Sequence, residues 1–214
     1  MPIKPDREYR NLGVFTRGRP DESEKDQNGY IVEGYASTFE RYELFEQDGV
    51  KLLEQIEPTA FDDADLSDVV FLRDHEGRVF ARTKNDTLQL SIDEHGLHTR
   101  TDLSKTAGSR EMFEDIDVGN YSQMSFAFTV ADEGDDITEM EDGNFLRTIR
   151  RVGKVYDVSA VSFPANPTTD IGVSARGLLD GAIEQKEAER LLAEARRRAV
   201  ERVKLKIKIA KEME

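Results

Sequence analysis

Apolar positions along the 214-residue chain follow the two-residue rhythm of strands over most of its length and change to a helical rhythm in two places. Residues 1–20 mix basic and apolar positions, and a first strand is expected around Val14. A charged turn at 21–29 ends in Asn28-Gly29, whose tolerance of positive φ makes it a strong hairpin signal. Residues 30–38 read as a strand, 40–50 as loop and 51–56 as a short apolar-rich element, and Pro58 opens a helical turn through Phe61. Val69-Val70-Phe71-Leu72 is a continuous apolar run, the pattern of a strand buried on both faces. Short strand-like runs follow at 79–82, 87–92 and 97–103, separated by Asn85-Asp86 and His95-Gly96.

Between 104 and 119 the period changes. Met112, Phe113 and Ile116 lie at helical spacing, and Gly119-Asn120 supplies the stop. Strand rhythm returns at 121–131, with Met124, Phe126, Phe128 and Val130 on one face. An acidic loop is expected at 132–144. Two strands follow at 145–152 and 155–163, joined by Gly153, and Pro164-Ala165-Asn166-Pro167 ends the second. From about Leu178 the pattern is helical, with Leu179, Ile183, Leu191, Ala195, Ala199 and Val203 on one stripe. The stretch Val203-Lys204-Leu205-Lys206-Ile207-Lys208-Ile209 alternates apolar residues with Lys, so it frays, extends the helix or adds to a partner's sheet edge. No internal repeat is present. A mostly β chain with one clear internal helix predicts an α+β class, and a barrel or sandwich rather than βαβ units.

Composition narrows the chemistry. Charged residues (35%) nearly equal hydrophobic ones (37%), wetter than an ordinary globular domain, so part of the chain is expected to be solvated tail or loop. The absence of Cys excludes disulfide scaffolds, thiolate zinc sites, iron–sulfur clusters and cysteine nucleophiles. Net charge is −14 and unevenly placed: residues 176–214 hold 11 basic and 8 acidic residues, leaving 19 basic and 36 acidic before them. The expected organisation is an acidic body at 1–175 carrying a mildly basic amphipathic helical tail at 176–214. Such a body is a poor sequence-independent binder of nucleic acid, because phosphate affinity comes from Lys and Arg. No apolar run approaches the ~20 residues of a membrane span, and residues 1–10 are too polar for a signal peptide, so a soluble protein folding in a cytoplasm is expected.

Nucleotide-binding glycine loops, zinc-protease helices and Gly-x-Ser-x-Gly elbows are missing. The acidic loop 132–136 lacks the spacing of a calcium-binding hand and reads as a solvated hairpin tip. His95 and His98 flank a turn beside acids and read as surface residues, with metal binding the weaker alternative. His75 directly follows an apolar strand, at the mouth of the core. Ser125 lies inside Gln123-Met124-Ser125-Phe126-Ala127-Phe128, on the face shared with small Ala127 and Thr129. Asp157 lies in another apolar strand, where a carboxylate needs a partner, either a structural Arg or a histidine. These three side chains are one each of the types a charge-oriented nucleophile requires, in the chain order His, Ser, Asp. Spacing alone does not bring them together.

Several segments, in order, resemble the prohead serine proteases of tailed bacteriophages. Glu33-Gly34-Tyr35-Ala36-Ser37-Thr38-Phe39 is similar to the family's opening strand. Glu57-Pro58-Thr59-Ala60-Phe61 resembles a conserved element in which Thr59 takes the usual glycine position. Val70-Phe71-Leu72-Arg73-Asp74-His75 resembles the strand that ends in the catalytic histidine, and Thr87-Leu88-Gln89-Leu90 with Gly96-Leu97 the following hairpin. Residues 119–128 are similar to the nucleophile segment, and 157–167 to the closing motif. The resemblance implies a herpesvirus-assemblin-like β-barrel with flanking helices. It implies an endopeptidase that cuts scaffold, or the scaffold-like segment of the major capsid protein, and often itself. That activity would take place inside the immature capsid in the bacterial host cytoplasm. It implies His75, Ser125 and Asp157 as the catalytic set, the third position varying between Asp and Glu in the family. The mechanism it implies uses no metal or cofactor, no membrane and no direct nucleic-acid contact, with a dimer or higher oligomer allowed. Arg73-Asp74 departs from the commoner aromatic-Asn pair. Arg147, Arg150 and Arg151 are candidate stabilisers of the oxyanion. The tail lies outside the resemblance and reads as a scaffold-docking or self-cleaved segment, or as a plain solvent-exposed helix. The alternative function is an inactive capsid-assembly or scaffold protein with the same barrel.

Overall fold

The computed structural model describes residues 7–16, 29–162 and 170–212. Those residues form one large and one small sheet and two α-helices. The large sheet contains β1 (Glu8–Thr16), β2 (Ile31–Thr38), β5 (Val70–Arg73), β6 (Glu76–Arg82), β7 (Leu88–Ile92), β8 (Gly96–Asp102), β9 (Gln123–Val130) and β12 (Val152–Val161), in the order β6-β5-β12-β9-β1-β2-β8-β7. The small sheet orders β10 (Asp135–Glu139), β11 (Phe145–Ile149), β4 (Val50–Ile56) and β3 (Tyr42–Gln47).

The connectivity forces the large sheet to roll. Its two edge strands, β6 and β7, are joined by a single 3₁₀ turn, Thr83–Asn85. Eight strands laid flat span about 34 Å, whereas the six Cα–Cα steps from Arg82 to Leu88 reach at most about 22 Å. Thr87 fastens the seam: its Oγ1 accepts from the Arg82 amide at 2.8 Å, and its carbonyl accepts from the Asp102 amide at 2.8 Å. No β6–β7 ladder closes the ring among the described residues. The mostly β class with a C-terminal helix is present, but as a rolled open sheet, not a closed barrel.

Two expected loops are strands. The 40–50 segment contains β3, whose alternation is interrupted by a bulge between Glu43 and Phe45. The acidic 132–144 segment contains β10, whose charges are met from neighbouring elements: Asp135 by Arg147, Asp136 by Arg150, and Glu139 by Arg190 and Lys186. Neutralisation by residues distant in sequence makes a strand of a stretch that local composition assigns to solvent. Arg150-Arg151, not Gly153, separates β11 from β12. The segment after Pro58 is a series of tight turns that buries Ala60 and Phe61.

The core gathers Phe61, Phe71, Leu97, Leu103, Met112, Phe126, Phe128 and Val158 inside the rolled sheet. Helix α1 (Ala107–Asp117) starts at Thr106, whose hydroxyl accepts from the Ser109 amide at 3.0 Å, and ends at Gly119 with φ +88. It turns Met112 and Ile116 onto the core. Helix α2 (Asp170–Glu212) includes the Lys-alternating stretch, and the boundary expected at 175/176 falls within it. Leu179 is fully buried against Leu52 and Phe145, while Leu191 and Val203 of the same stripe are exposed. Asn28 and Pro164-Ala165-Asn166-Pro167 lie outside the described residues.

Candidate active site

His75 owes its position to a two-residue hairpin. Arg73 of β5 pairs with Glu76 of β6, so Asp74 and His75 alone make the turn. Both have positive φ, +50 and +60, as the central residues of a type I′ turn require. Asp and His are among the few non-glycine residues that tolerate this region. The departure noted at Arg73-Asp74 therefore keeps a residue suited to the turn. Strand β12 holds the turn from beside it. The Asp74 amide donates to the Ala160 carbonyl at 2.9 Å, and the Asp74 carboxylate accepts from the Ser162 amide and hydroxyl at 3.0 and 3.2 Å.

Ser125 and Asp157 come from adjacent antiparallel strands, β9 and β12, in which Ser159 lies opposite Ser125 and Asp157 opposite Ala127. Strand alternation turns Met124, Phe126 and Phe128 into the core and leaves Ser125, Ala127, Asp157 and Ser159 on the other face. His75, 50 residues from Ser125 and 82 from Asp157, is brought between them: Nε2 is 2.6 Å from Ser125 Oγ and Nδ1 is 2.6 Å from Asp157 Oδ1. One tautomer satisfies both contacts. Nδ1–H donates to the carboxylate, and Nε2 accepts from the hydroxyl. All three residues predicted from the sequence are thus brought together.

The site is dry. Ser125 is 0% exposed, and the His75 and Asp157 side chains are 5% exposed. Low local dielectric strengthens hydrogen bonds among such groups. Two neighbours were not legible in the sequence. Tyr9 of β1 sets its ring edge-on to His75, with centroids 4.7 Å apart. Ser159 bonds to Asp157 and to His75. The only local signal for Ser159 is its parity with Asp157 along β12. Tyr9 has none. Opposite Ser125 the β1–β9 register shifts between Arg10 and Gly13.

Flanking Tyr9, Glu8 and Arg10 enter a buried ionic cluster that ties β1 to the small sheet. Arg10 donates to Glu54 through Nε and Nη2, the latter at 2.8 Å. Arg147 donates to Glu54 at 2.9 Å, to Glu8 at 2.8 Å and to Asp135 at 2.6 Å. Tyr42 also donates its hydroxyl to Glu54. Burial pushes the Glu8 carboxyl up, but hydrogen bonds and charge from Arg147 and Arg10 override it and hold it at about 2. Glu54 is likewise lowered, with burial opposed by Arg10 and Arg147. Burial pushes the Tyr42 hydroxyl well up, and the Glu54 charge adds to it.

The three arginines considered for the oxyanion are engaged elsewhere. Arg147 is in this cluster, Arg150 pairs with Asp136 at 2.7 Å, and Arg151 donates to the Asp132 carbonyl. His95 is exposed and His98 half-buried, each with its ring edge-on to Tyr35. Among the described residues no group of three potential ligands is placed to hold a metal, and no helix is long and apolar enough to cross a membrane. A groove of about 790 Å³ between β10 and α2 lies away from His75, Ser125 and Asp157, none of which lines it.

A family model described as caudovirus prohead serine protease matches residues 19–182, a stretch that includes all three of those residues. No curated protein and no solved structure matches the chain.

Proposed function

The chain belongs to the caudovirus prohead serine protease family, and on that premise we propose that it is a capsid-maturation endopeptidase with Ser125 as nucleophile, His75 as general base and acid, and Asp157 as the partner that orients the imidazole. One observation carries the assignment: the two ring nitrogens of His75 are each 2.6 Å from a partner, Ser125 Oγ on one side and Asp157 Oδ1 on the other.

The chemistry follows from that geometry. Ser125 Oγ attacks the carbonyl carbon of a peptide bond while its proton passes to His75 Nε2. The imidazolium, held by Asp157, then gives that proton to the departing amine as the C–N bond breaks, leaving an ester on Ser125. A water molecule, deprotonated by His75, hydrolyses the ester and restores the hydroxyl. Ser125 is enclosed in this conformation, so a peptide reaches it only when the groups over the site part.

The substrates we assign are scaffold or the scaffold-like segment of the major capsid protein, and the chain itself, acting inside the assembling prohead. The tail from residue 176 is the segment we assign to scaffold docking or to self-removal. Truncation from 191, beyond buried Leu179, should leave hydrolysis of a short peptide intact and impair only cleavage of assembled substrate.

The decisive experiment is labelling of the purified protein with a fluorophosphonate, together with cleavage of co-expressed capsid and scaffold proteins. Ser125→Ala should abolish both and leave the fold intact, since Ala fits a strand face already carrying Ala127, and His75→Asn, which tolerates the positive φ of the turn, should abolish both as well. A wild-type chain that neither labels nor cleaves would return the protein to the alternative, an inactive assembly component with the same fold.

A further inference from the structure

We propose that Ser159 is a positioning residue of this site, a hydroxyl that fixes the carboxylate of Asp157 and the turn carrying His75 at the same time. The inference rests on the roles given above to Ser125, His75 and Asp157. Ser159 lies two residues after Asp157 on the same face of β12, directly across from Ser125 on β9, and is 0% exposed. Its Oγ is 2.9 Å from Asp157 Oδ1, 3.3 Å from His75 Nδ1 and 3.3 Å from the His75 backbone nitrogen.

A serine hydroxyl has one proton to give and lone pairs to receive. Two acceptors compete for that proton, and the carboxylate wins: it is nearer, it is charged, and Nδ1 already points its own proton at the same oxygen from 2.6 Å. The hydroxyl's lone pair takes the backbone N–H of His75. Oδ1 of Asp157 therefore accepts from two donors whose directions differ, which fixes the carboxylate against rotation. The residue that presents the imidazole is held in its left-handed conformation, φ +60, by the same atom.

Removing the hydroxyl breaks both constraints. The carboxylate keeps one donor and is free to turn. The His75 amide loses its acceptor, and the hairpin can relax toward a commoner conformation. The imidazole then spends less time with Nε2 facing Ser125 in the accepting tautomer. Substrate contacts are untouched, so the loss falls on turnover and not on binding.

Ser159→Ala should therefore lower kcat roughly 10- to 100-fold with KM changed less than about two-fold, the size expected for losing a hydrogen bond to a charged group. Ser159→Thr keeps the hydroxyl and suits a strand, and should recover most of kcat. Ser159→Val has the same shape without the hydroxyl, and should not. If Ser159→Ala does not fold, the Thr and Val pair decides the matter in the same terms. A second readout is independent of turnover. In a Ser125→Ala background with ¹⁵N-labelled histidine, three histidines keep assignment simple. The parent should show a slowly exchanging, downfield Nδ1 proton on His75, which Ser159→Ala or Ser159→Val broadens or loses as the two tautomers mix. Valine equal to threonine in kcat, or a His75 spectrum indifferent to the hydroxyl, would overturn the proposal. A parent that is itself inactive refutes the catalytic reading alone, and the His75 spectra still decide whether Ser159 holds the ring.

Discussion

Replacing Glu54 by Gln changes almost no volume and removes one charge from the centre of the buried cluster. Glu54 is 0% exposed and accepts from Arg10, Arg147 and Tyr42. Both arginines are themselves buried, at 5% and 3% exposed, whereas their remaining carboxylate partners, Glu8 and Asp135, sit nearer the surface. The amide leaves two interior guanidinium groups paired only toward the rim, and turns an NH2 donor against an Arg donor. Removing one member of a buried ion pair costs about 3–5 kcal/mol. Set against a domain stability of about 5–15 kcal/mol, that is a large fraction. Urea unfolding should show a much lower midpoint with an unchanged slope, since the surface exposed on unfolding is the same. Glu43→Gln, on the neighbouring strand β3 in the exposed pair with Lys51, serves as the control and should leave the midpoint unmoved. Because Arg10 adjoins Tyr9, which packs on His75, fluorophosphonate labelling of the wild type and of Glu54→Gln should also differ in rate. Equal midpoints for Glu54→Gln and Glu43→Gln would refute the reasoning, because they would mean that burial does not set the value of this cluster.

Acid should dismantle the same cluster. The Glu8 carboxyl falls from its ordinary 4.5 to about 2 in the folded chain. Its contribution is therefore complete above pH 4.5 and disappears as pH drops toward 2, a difference of up to about 3 kcal/mol. Unfolding midpoints measured from pH 6 to 2 should fall steeply for the wild type and less steeply for Glu8→Gln; parallel curves would count against the assignment. Gly96→Ala should cost about 1–3 kcal/mol, because the added Cβ would lie 2.0 Å from the Ser37 carbonyl oxygen, a backbone atom of β2 that must move. Thermal melts would detect it. Gly181→Ala should act in the opposite direction. Its Cβ meets nothing within 4 Å, so the helix gains up to about 1 kcal/mol from the better propensity, read as a raised melting temperature.

Local pattern was sufficient where a segment's surroundings matched its composition. The alternation at 123–130 and the 112/113/116 spacing became β9 and α1 because their apolar faces meet the core they imply. It was insufficient at β10, where Asp135, Asp136 and Glu139 read as a solvated tip until Arg147, Arg150 and Arg190 are placed across from them. Chain order and residue type made His75, Ser125 and Asp157 candidates for one site, since a buried carboxylate in a strand needs a partner and a serine on a small-residue face leaves space. Their meeting was a matter of sheet order. Parallel pairing of β5 with β12 and antiparallel pairing of β12 with β9 set three distant side chains on one face at hydrogen-bond distance. Nothing in the alternation of any single strand specifies which strand lies beside it. The β12–β9 pairing brought in Ser159 and the β1–β9 pairing brought in Tyr9, and the contacts of Glu8 with Arg147 span 139 residues. Periodicity reports which face of a segment avoids water, so most of the elements, though not β3 or β10, and the kinds of chemistry they carry were written in the chain. Strand neighbours depend on long-range packing and charge balance, so the distances that make those groups a site were decided only when the sheet rolled up.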